Sequence, residues 1–363
     1  MKSEIGGDFW ISPTASYEDI GIGSPEQFHC KGNDYVWLSS GRSAIKYVLK
    51  TIEERHPNIK KKAVLPSFTC QTVIQPFLEL GYEADYYPVD KNLRASSAAI
   101  LQKVAEDEAT VVLFHRYFGY DTIDTQIDSL CDELRKLGKY TIEDCTQSLY
   151  SDIPRADVDF FVGSLRKWMG MPDGGFAVCR NGIFENKPHI SDELLEKSKL
   201  EAFHTKYRYL FENKGNKDEM LAMYRKAEGI LDLQDEIFAI SPISTKIQAN
   251  INKSYLIRKR IENYNILREN LKNCIHLLFS SIPQREVPLY FPIFVDKRPQ
   301  LQKYLIENVI YAPIVWPKSG LQSIICDGAE NAYNHLLCIP IDQRYDTDDM
   351  YRIVEVINKF YDV

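Results

Sequence analysis

No stretch of this chain approaches the roughly 18 apolar residues that a membrane span requires, and it carries no basic arm or stripe beyond Lys60 to Lys62. That triplet reads as a solvated loop before a strand. A formal net charge of −7 argues against a nucleic-acid surface. The opening stretch "MKSEIGGDFWISPTASYEDIG" has no continuous apolar region, so no signal peptide is expected, and the cytoplasm is the expected compartment. Eight cysteines are scattered, and the closest pair, Cys326 and Cys338, is too widely spaced for a CxxC pair. No Cys/His cluster points to zinc or a redox couple, so no metal is expected, and reduced thiols are the plain reading. Internal repeats and low-complexity tracts are missing as well.

What the chain does have is alternation. From about Asn33 to Arg180, strand-like runs ("KKAVLPSF", "EADYYPVD", "TVVLFHRYFG", "YTIEDC", "VDFFVGSL", "GGFAV") are separated by helical stretches. The clearest of these has Ile127, Leu130, Leu134 and Leu137 at helical spacing and closes at Gly138. Such alternation implies an α/β fold with a mainly parallel sheet covered by helices. Residues from Asn186 to about Asp235 are charged, helix-like and poor in β-formers. "STKIQANINKSYLIRKRIENYNILRENLK" reads as one long amphipathic helix, with Arg258 to Arg260 on a solvated face or at a subunit contact. Short strands "PLYFPIFVD", "NVIYAPIVW" and "HLLCIPI", with two more helices, complete a smaller α+β unit. The expected domains are 1–242, large and cofactor-binding, and 243–363, small and C-terminal.

Open parallel sheets bind ligands at the carboxyl ends of their strands, and three features fall there. "YTIEDC" delivers Asp144, with Gln147 three residues on. "GSLRK" delivers Ser164 and Lys167. "SSGRSAIKYVL" places a Gly/Ser turn before a helix, where backbone N–H groups can take a phosphate. A phosphate cradle, a strand-end carboxylate and a lysine together fit pyridoxal 5'-phosphate. The amine joins the cofactor's aldehyde, and the carboxylate keeps the ring nitrogen protonated. Gly174 and Gly175 would let backbone pass close to the cofactor. His115, at a strand end, is either functional or a structural hydrogen-bonding group. Arg344 either binds a substrate carboxylate bidentately or forms a surface salt bridge.

In these stretches the chain resembles the DegT/StrS-type sugar aminotransferases, fold type I pyridoxal phosphate enzymes. The family's "GTAAL"-like phosphate turn reads "GRSAI" (Gly41 to Ile45), its "PSFTF" reads "PSFTC" (Pro66 to Cys70), its "HLYG" reads "HRYFG" (His115 to Gly119), and its "IEDAAQ" reads "IEDCTQ" (Ile142 to Gln147). The family's lysine precedes two glycines by seven and eight residues, as Lys167 precedes Gly174 and Gly175. The resemblance implies Lys167 as Schiff-base lysine and catalytic acid/base, Asp144 on the pyridine nitrogen and Gln147 on the ring hydroxyl. It places Gly41, Arg42, Ser43 and Ser164 about the phosphate, and Cys70 where the family stacks an aromatic residue on the ring. Ser164 stands three residues before the lysine rather than five, the family's "NYRM"-like segment is not recognisable near "FAISPIST", and the family's N-terminal segment is not apparent in residues 1–32. The implied reaction moves an amino group from an amino-acid donor, glutamate, to a keto sugar that is nucleotide-linked, in a cytoplasmic homodimer. Two other readings stay open: another pyridoxal phosphate-dependent sugar modification, and a non-catalytic relative that binds the cofactor. The family's sugar-dehydrating members carry histidine in place of the lysine, which argues against the first.

Overall fold

A seven-stranded sheet organises the first half of the chain in the computed structural model, which describes residues 4–124, 126–322 and 326–362. A two-residue strand β1 (Ile5–Gly6) comes first, followed by β2 (Asp34–Leu38), β3 (Lys62–Pro66), β4 (Glu83–Tyr87), β5 (Val111–His115), β6 (Tyr140–Asp144), β7 (Phe160–Ser164) and β8 (Gly175–Cys179). The large sheet has the order β2-β8-β7-β6-β5-β3-β4, and only β8 runs against its neighbours. The interior strand β5, "VVLFH", is buried along its whole length, as a strand covered by helices on both faces must be. Helices α1 (Gly41–Arg55), α2 (Gln71–Glu79), α3 (Ser97–Asp107) and α4 (Ile127–Lys136) form the crossovers. Helix α4 buries Ile127, Leu130 and Leu134 of the expected stripe, together with Cys131, while Leu137 falls at the C-cap and is exposed. The sequence expectation of a mainly parallel α/β sheet therefore holds.

The charged region beyond β8 folds as a helical hairpin, α5 (Glu193–Phe211) and α6 (Lys217–Asp232). The long helix expected from Ser244 is instead two, α7 (Pro242–Ala249) and α8 (Lys253–Asn270). Asn252 ends the continuity by acting as an N-cap, its side chain accepting from Tyr255 N–H, and an asparagine at a cap is more stable than one inside a helix. Nor is Arg260 solvated. It is buried on the inner face of α8, where its guanidinium donates to the carbonyl of Leu289 at 2.8 Å and lies over the Trp168 ring.

The C-terminal strands are β9 (His276–Leu277), β10 (Phe291–Phe294), β11 (Ile310–Tyr311) and β12 (Leu336–Ile339), with helices α9 (Arg298–Glu307), α10 (Asp327–His335) and α11 (Thr347–Phe360). Only β9, β10 and β12 form a sheet together. "NVIYAPIVW" contributes just β11, which pairs in parallel with β1. Pro313 and Pro317 flank the rest of that run and remove donors that a longer ladder would need.

Candidate active site

The parallel register of β5, β6 and β7 brings His115 level with Asp144, and Asp144 level with Val162, two residues before Ser164. Asp144 is almost wholly buried. Its Oδ1 accepts the Thr146 N–H at 2.9 Å, and its Oδ2 lies 3.4 Å from His115 Nδ1. His115 Nε2 meets Thr69 Oγ1 at 2.7 Å. A carboxylate only accepts, so this chain of contacts orients one imidazole nitrogen toward Asp144 and leaves the other for the threonine hydroxyl.

Burial lowers the His115 pKa to about 4, with Asp144 pulling it back up and Lys167 pushing it further down. The ring is therefore neutral at pH 7, and its protonated form disfavours the fold. Between the unfolded value near 6.5 and about 4, the unfolded chain takes up a proton that the folded one refuses, so stability falls as pH falls through that window. The loss attributable to His115 is roughly 3 kcal/mol. Urea unfolding of wild type and His115→Gln at about pH 7 and about pH 4 measures it: the wild type should lose more stability than the variant, and equal losses would remove His115 from this account.

Lys167 follows β7 in a turn fixed by its neighbour. Trp168 is fully buried, and its Nε1 donates to the Thr146 carbonyl at 2.7 Å, tying the lysine turn to the segment just after Asp144. Among the described residues, Lys167 Nζ makes no hydrogen bond and no ion pair. Its nearest aromatic partner is Trp316, whose ring centroid is 5.4 Å away. Arg166, by contrast, pairs with Glu228 of α6 at 2.7 Å.

Opposite the lysine is the start of α1. Ser40 caps it, its Oγ accepting the Ser43 N–H, while the N–H groups of Gly41 and Arg42 make no hydrogen bond among the described residues. Two free N–H groups at a helix N-terminus form an anion cradle. Gly175 sets the cradle's position. A Cβ there would come within 2.4 Å of the Ser40 carbonyl group, so only glycine lets β8 pass this close. The close approach expected between Gly174–Gly175 and a cofactor is thus made by Gly175 to the Ser40–Gly41 turn, while Gly174 supplies a φ of +138° that side chains rarely adopt.

These elements enclose a cavity of about 310 Å³. Of the residues singled out from the sequence, Gly41, Arg42, Cys70, Asp144, Ser164 and Lys167 line it. Ser43, Gln147 and His115 stand behind that wall. The Ser43 backbone is taken by the Ser40 cap, and His115 reaches the cavity only through Asp144. Arg344 does not line this cavity; its partly buried guanidinium is held bidentately by Asp342 at 2.7 and 2.9 Å. Sequence reasoning missed Thr146, Trp316, Glu228 and Asp232, all of which line the cavity. Asp232 pairs with Arg42 at 2.7 Å.

The donor set fits pyridoxal 5'-phosphate. The cradle suits its phosphate, Asp144 its ring nitrogen, Lys167 its aldehyde and Trp316 a flat apolar ring. Behind that wall, Gln147 Oε1 accepts the Phe118 N–H at 2.7 Å, and its buried Nε2 has no partner among the described residues.

No protein-family model and no curated protein matches this chain. Solved structures do. PseC from Helicobacter pylori, an aminotransferase involved in the biosynthesis of pseudoaminic acid, aligns with a TM-score of 0.65 over 99% of this chain and 98% of its own at 14% identity. The sugar aminotransferase CalS13 from Micromonospora echinospora aligns with 0.62 over 90% and 87% at 15% identity. A DegT DnrJ EryC1 StrS aminotransferase from Brucella abortus aligns with 0.63 over 94% and 91% at 16% identity. At such identities the likeness is one of fold, and the fold of this chain is that of the fold type I aminotransferases.

Proposed function

We propose that this chain is a pyridoxal phosphate-dependent aminotransferase that takes its amino group from glutamate and delivers it to a keto sugar, nucleotide-linked as the resemblance implies. The observation that carries the reading is the unpaired Lys167 amine, held across a cavity from Asp144 and from the open N-terminus of α1. The shared fold with proteins described as sugar aminotransferases supports the substrate class. Bound there, pyridoxal phosphate supplies an aldehyde that takes up amines and a ring that accepts electrons when a bond at the amino carbon breaks.

The chain's own residues do the rest. Gly41 and Arg42 N–H groups hold phosphate oxygens at the helix's positive end. Asp144, fixed by Thr146 N–H, keeps a proton on the ring nitrogen. Lys167 Nζ would hold the cofactor's aldehyde, and its free amine would take a proton from the donor's α-carbon as a general base. Trp316 excludes water from the amine.

A cytoplasmic homodimer is the proposed assembly. Ile190, Leu194 and Leu233 expose apolar surface in one neighbourhood, where Gln234 Nε2 donates to Asp192 at 2.6 Å, and such a patch suits a second copy. No helix among the described residues is long and apolar enough to cross a membrane. The domain boundary is proposed at 242/243, inside the first turn of α7.

The test is a purified-protein experiment with cofactor and L-glutamate. Formation of 2-oxoglutarate, with conversion of the cofactor's absorbance to that of its amino form, is the expected result, followed by reversal on adding a keto-sugar nucleotide. Cofactor that binds but stays unchanged in glutamate would leave only the passive binder.

A further inference from the structure

Lys167 and Arg166 also line a second cavity, of about 480 Å³, which the α1 cradle does not line. Its walls come from the stretch after β1, from the α5–α6 hairpin and from the C-terminal elements. Most of its charges are already satisfied. Arg344 is closed by Asp342, and Arg260 by backbone carbonyls.

One group is under-neutralised. Lys199 of α5, only 2% exposed, and Arg166 both pair with a single oxygen, Oε1 of Glu228. Two cations therefore share one carboxylate beside an amine, Lys167, that has no anionic partner among the described residues. A buried ammonium is costly unless fully paired. Burial and the neighbouring Arg166 together lower the Lys199 pKa to about 8 despite Glu228 and Asp8, which shows how incompletely it is compensated. A second carboxylate entering here would be drawn to both cations.

We infer that this second cavity is the subsite for a dicarboxylic acid substrate, with Lys199 and Arg166 as its recognition pair and Glu228 as the resident carboxylate that the substrate's anionic group joins or displaces. The inference rests on the aminotransferase reading and names which residues make the donor a dicarboxylate. A substrate carbon presented to Lys167 Nζ has its distal carboxylate directed into the cavity that both cations line. A monocarboxylic acid of the same backbone lacks that group and gains nothing from Lys199. Lys199 lines this cavity and not the one holding Asp144 and the cradle, so its role separates from cofactor binding.

The experiment measures binding of 2-oxoglutarate and of pyruvate to the purified protein by calorimetry, for wild type, Lys199→Met and Glu228→Gln, beside borohydride trapping of pyridoxal phosphate on each. Lys199→Met keeps the methylene stem and leaves Glu228 paired with Arg166. It should weaken 2-oxoglutarate by about tenfold or more while pyruvate changes by less than about threefold, with the cofactor still trapped on Lys167. Glu228→Gln should tighten 2-oxoglutarate severalfold by removing the competing carboxylate. Equal losses for both acids in Lys199→Met, or no loss, would overturn the inference, as would weaker 2-oxoglutarate binding in Glu228→Gln. Failure of the aminotransferase reading shows differently, as no cofactor on Lys167 in the wild type. The two keto acids report on the cavity whether or not the cofactor is present.

Discussion

Lys167→Ala should give a folded protein that no longer holds pyridoxal phosphate covalently and turns over at least about a thousandfold more slowly, a barrier increase of about 4 kcal/mol. The fold should survive because Nζ makes no hydrogen bond or ion pair among the described residues, and its aromatic contact, Trp316, lies 5.4 Å away. The turn itself is held by Trp168, whose indole bonds Thr146 and whose ring is fully buried. Removing the amine therefore removes the nucleophile without removing an anchor. Borohydride reduction followed by peptide mapping, with a urea midpoint for each protein, separates the two effects. The wild type should carry the reduced cofactor on Lys167 alone. The rival is close by: Lys199 is buried, with its pKa lowered to about 8, which makes it the other lysine near the site able to act as an amine nucleophile at neutral pH. Cofactor trapped on Lys199 would sink the assignment and move the chemistry into the second cavity.

The parts of this site that follow from local pattern were legible in the sequence. Asp144 and Ser164 end buried strands, and a polar residue after an apolar run at a strand's carboxyl end marks where a parallel sheet opens to ligand. The α1 turn announced itself by Ser40 and Gly41 before a helical pattern. The acidic pair on α6 gave no comparable signal. Glu228 is 62 residues from Arg166, and Asp232 is 190 from Arg42, so only the folded hairpin shows that helix positions one turn apart carry both counter-ions to the cavity. Trp316 lay hidden in the same way, in a proline-flanked run that looked like a strand. Arg260 misled for a different reason. It sits on the buried stripe of α8 with Leu256, Tyr264 and Leu267, and its charge pointed outward while its spacing pointed inward. Spacing decided it, because backbone carbonyls and the Trp168 face were available to satisfy the guanidinium.

Asp144→Asn should lose far more activity than cofactor affinity. Asparagine has the same shape, and its carbonyl oxygen can still accept the Thr146 N–H that fixes Oδ1 at 2.9 Å. His115 can adapt as well, since its ring is neutral and can present an acceptor nitrogen to the new amide donor, with Thr69 Oγ1 reversing its role at the other nitrogen. The pocket therefore keeps its packing and its hydrogen bonds, and cofactor binding should weaken by less than about tenfold. What asparagine cannot do is hold a proton on the ring nitrogen, because it carries no charge to favour the protonated form. That proton matters most when electrons flow from the donor's α-carbon into the ring, so the interaction is stronger in the transition state than in the bound ground state, and its loss falls on the chemical step. A single-turnover rate for the glutamate half-reaction, set beside the cofactor dissociation constant, reads the two separately. A fall of about a hundredfold or more in the rate is the expected result, near 3 kcal/mol in barrier. If the variant reacts within about threefold of wild type, a barrier change under about 0.7 kcal/mol, Asp144 is not the ring-nitrogen partner. The buried carboxylate would then serve chiefly to hold His115 and the Thr146 turn in register with Trp168.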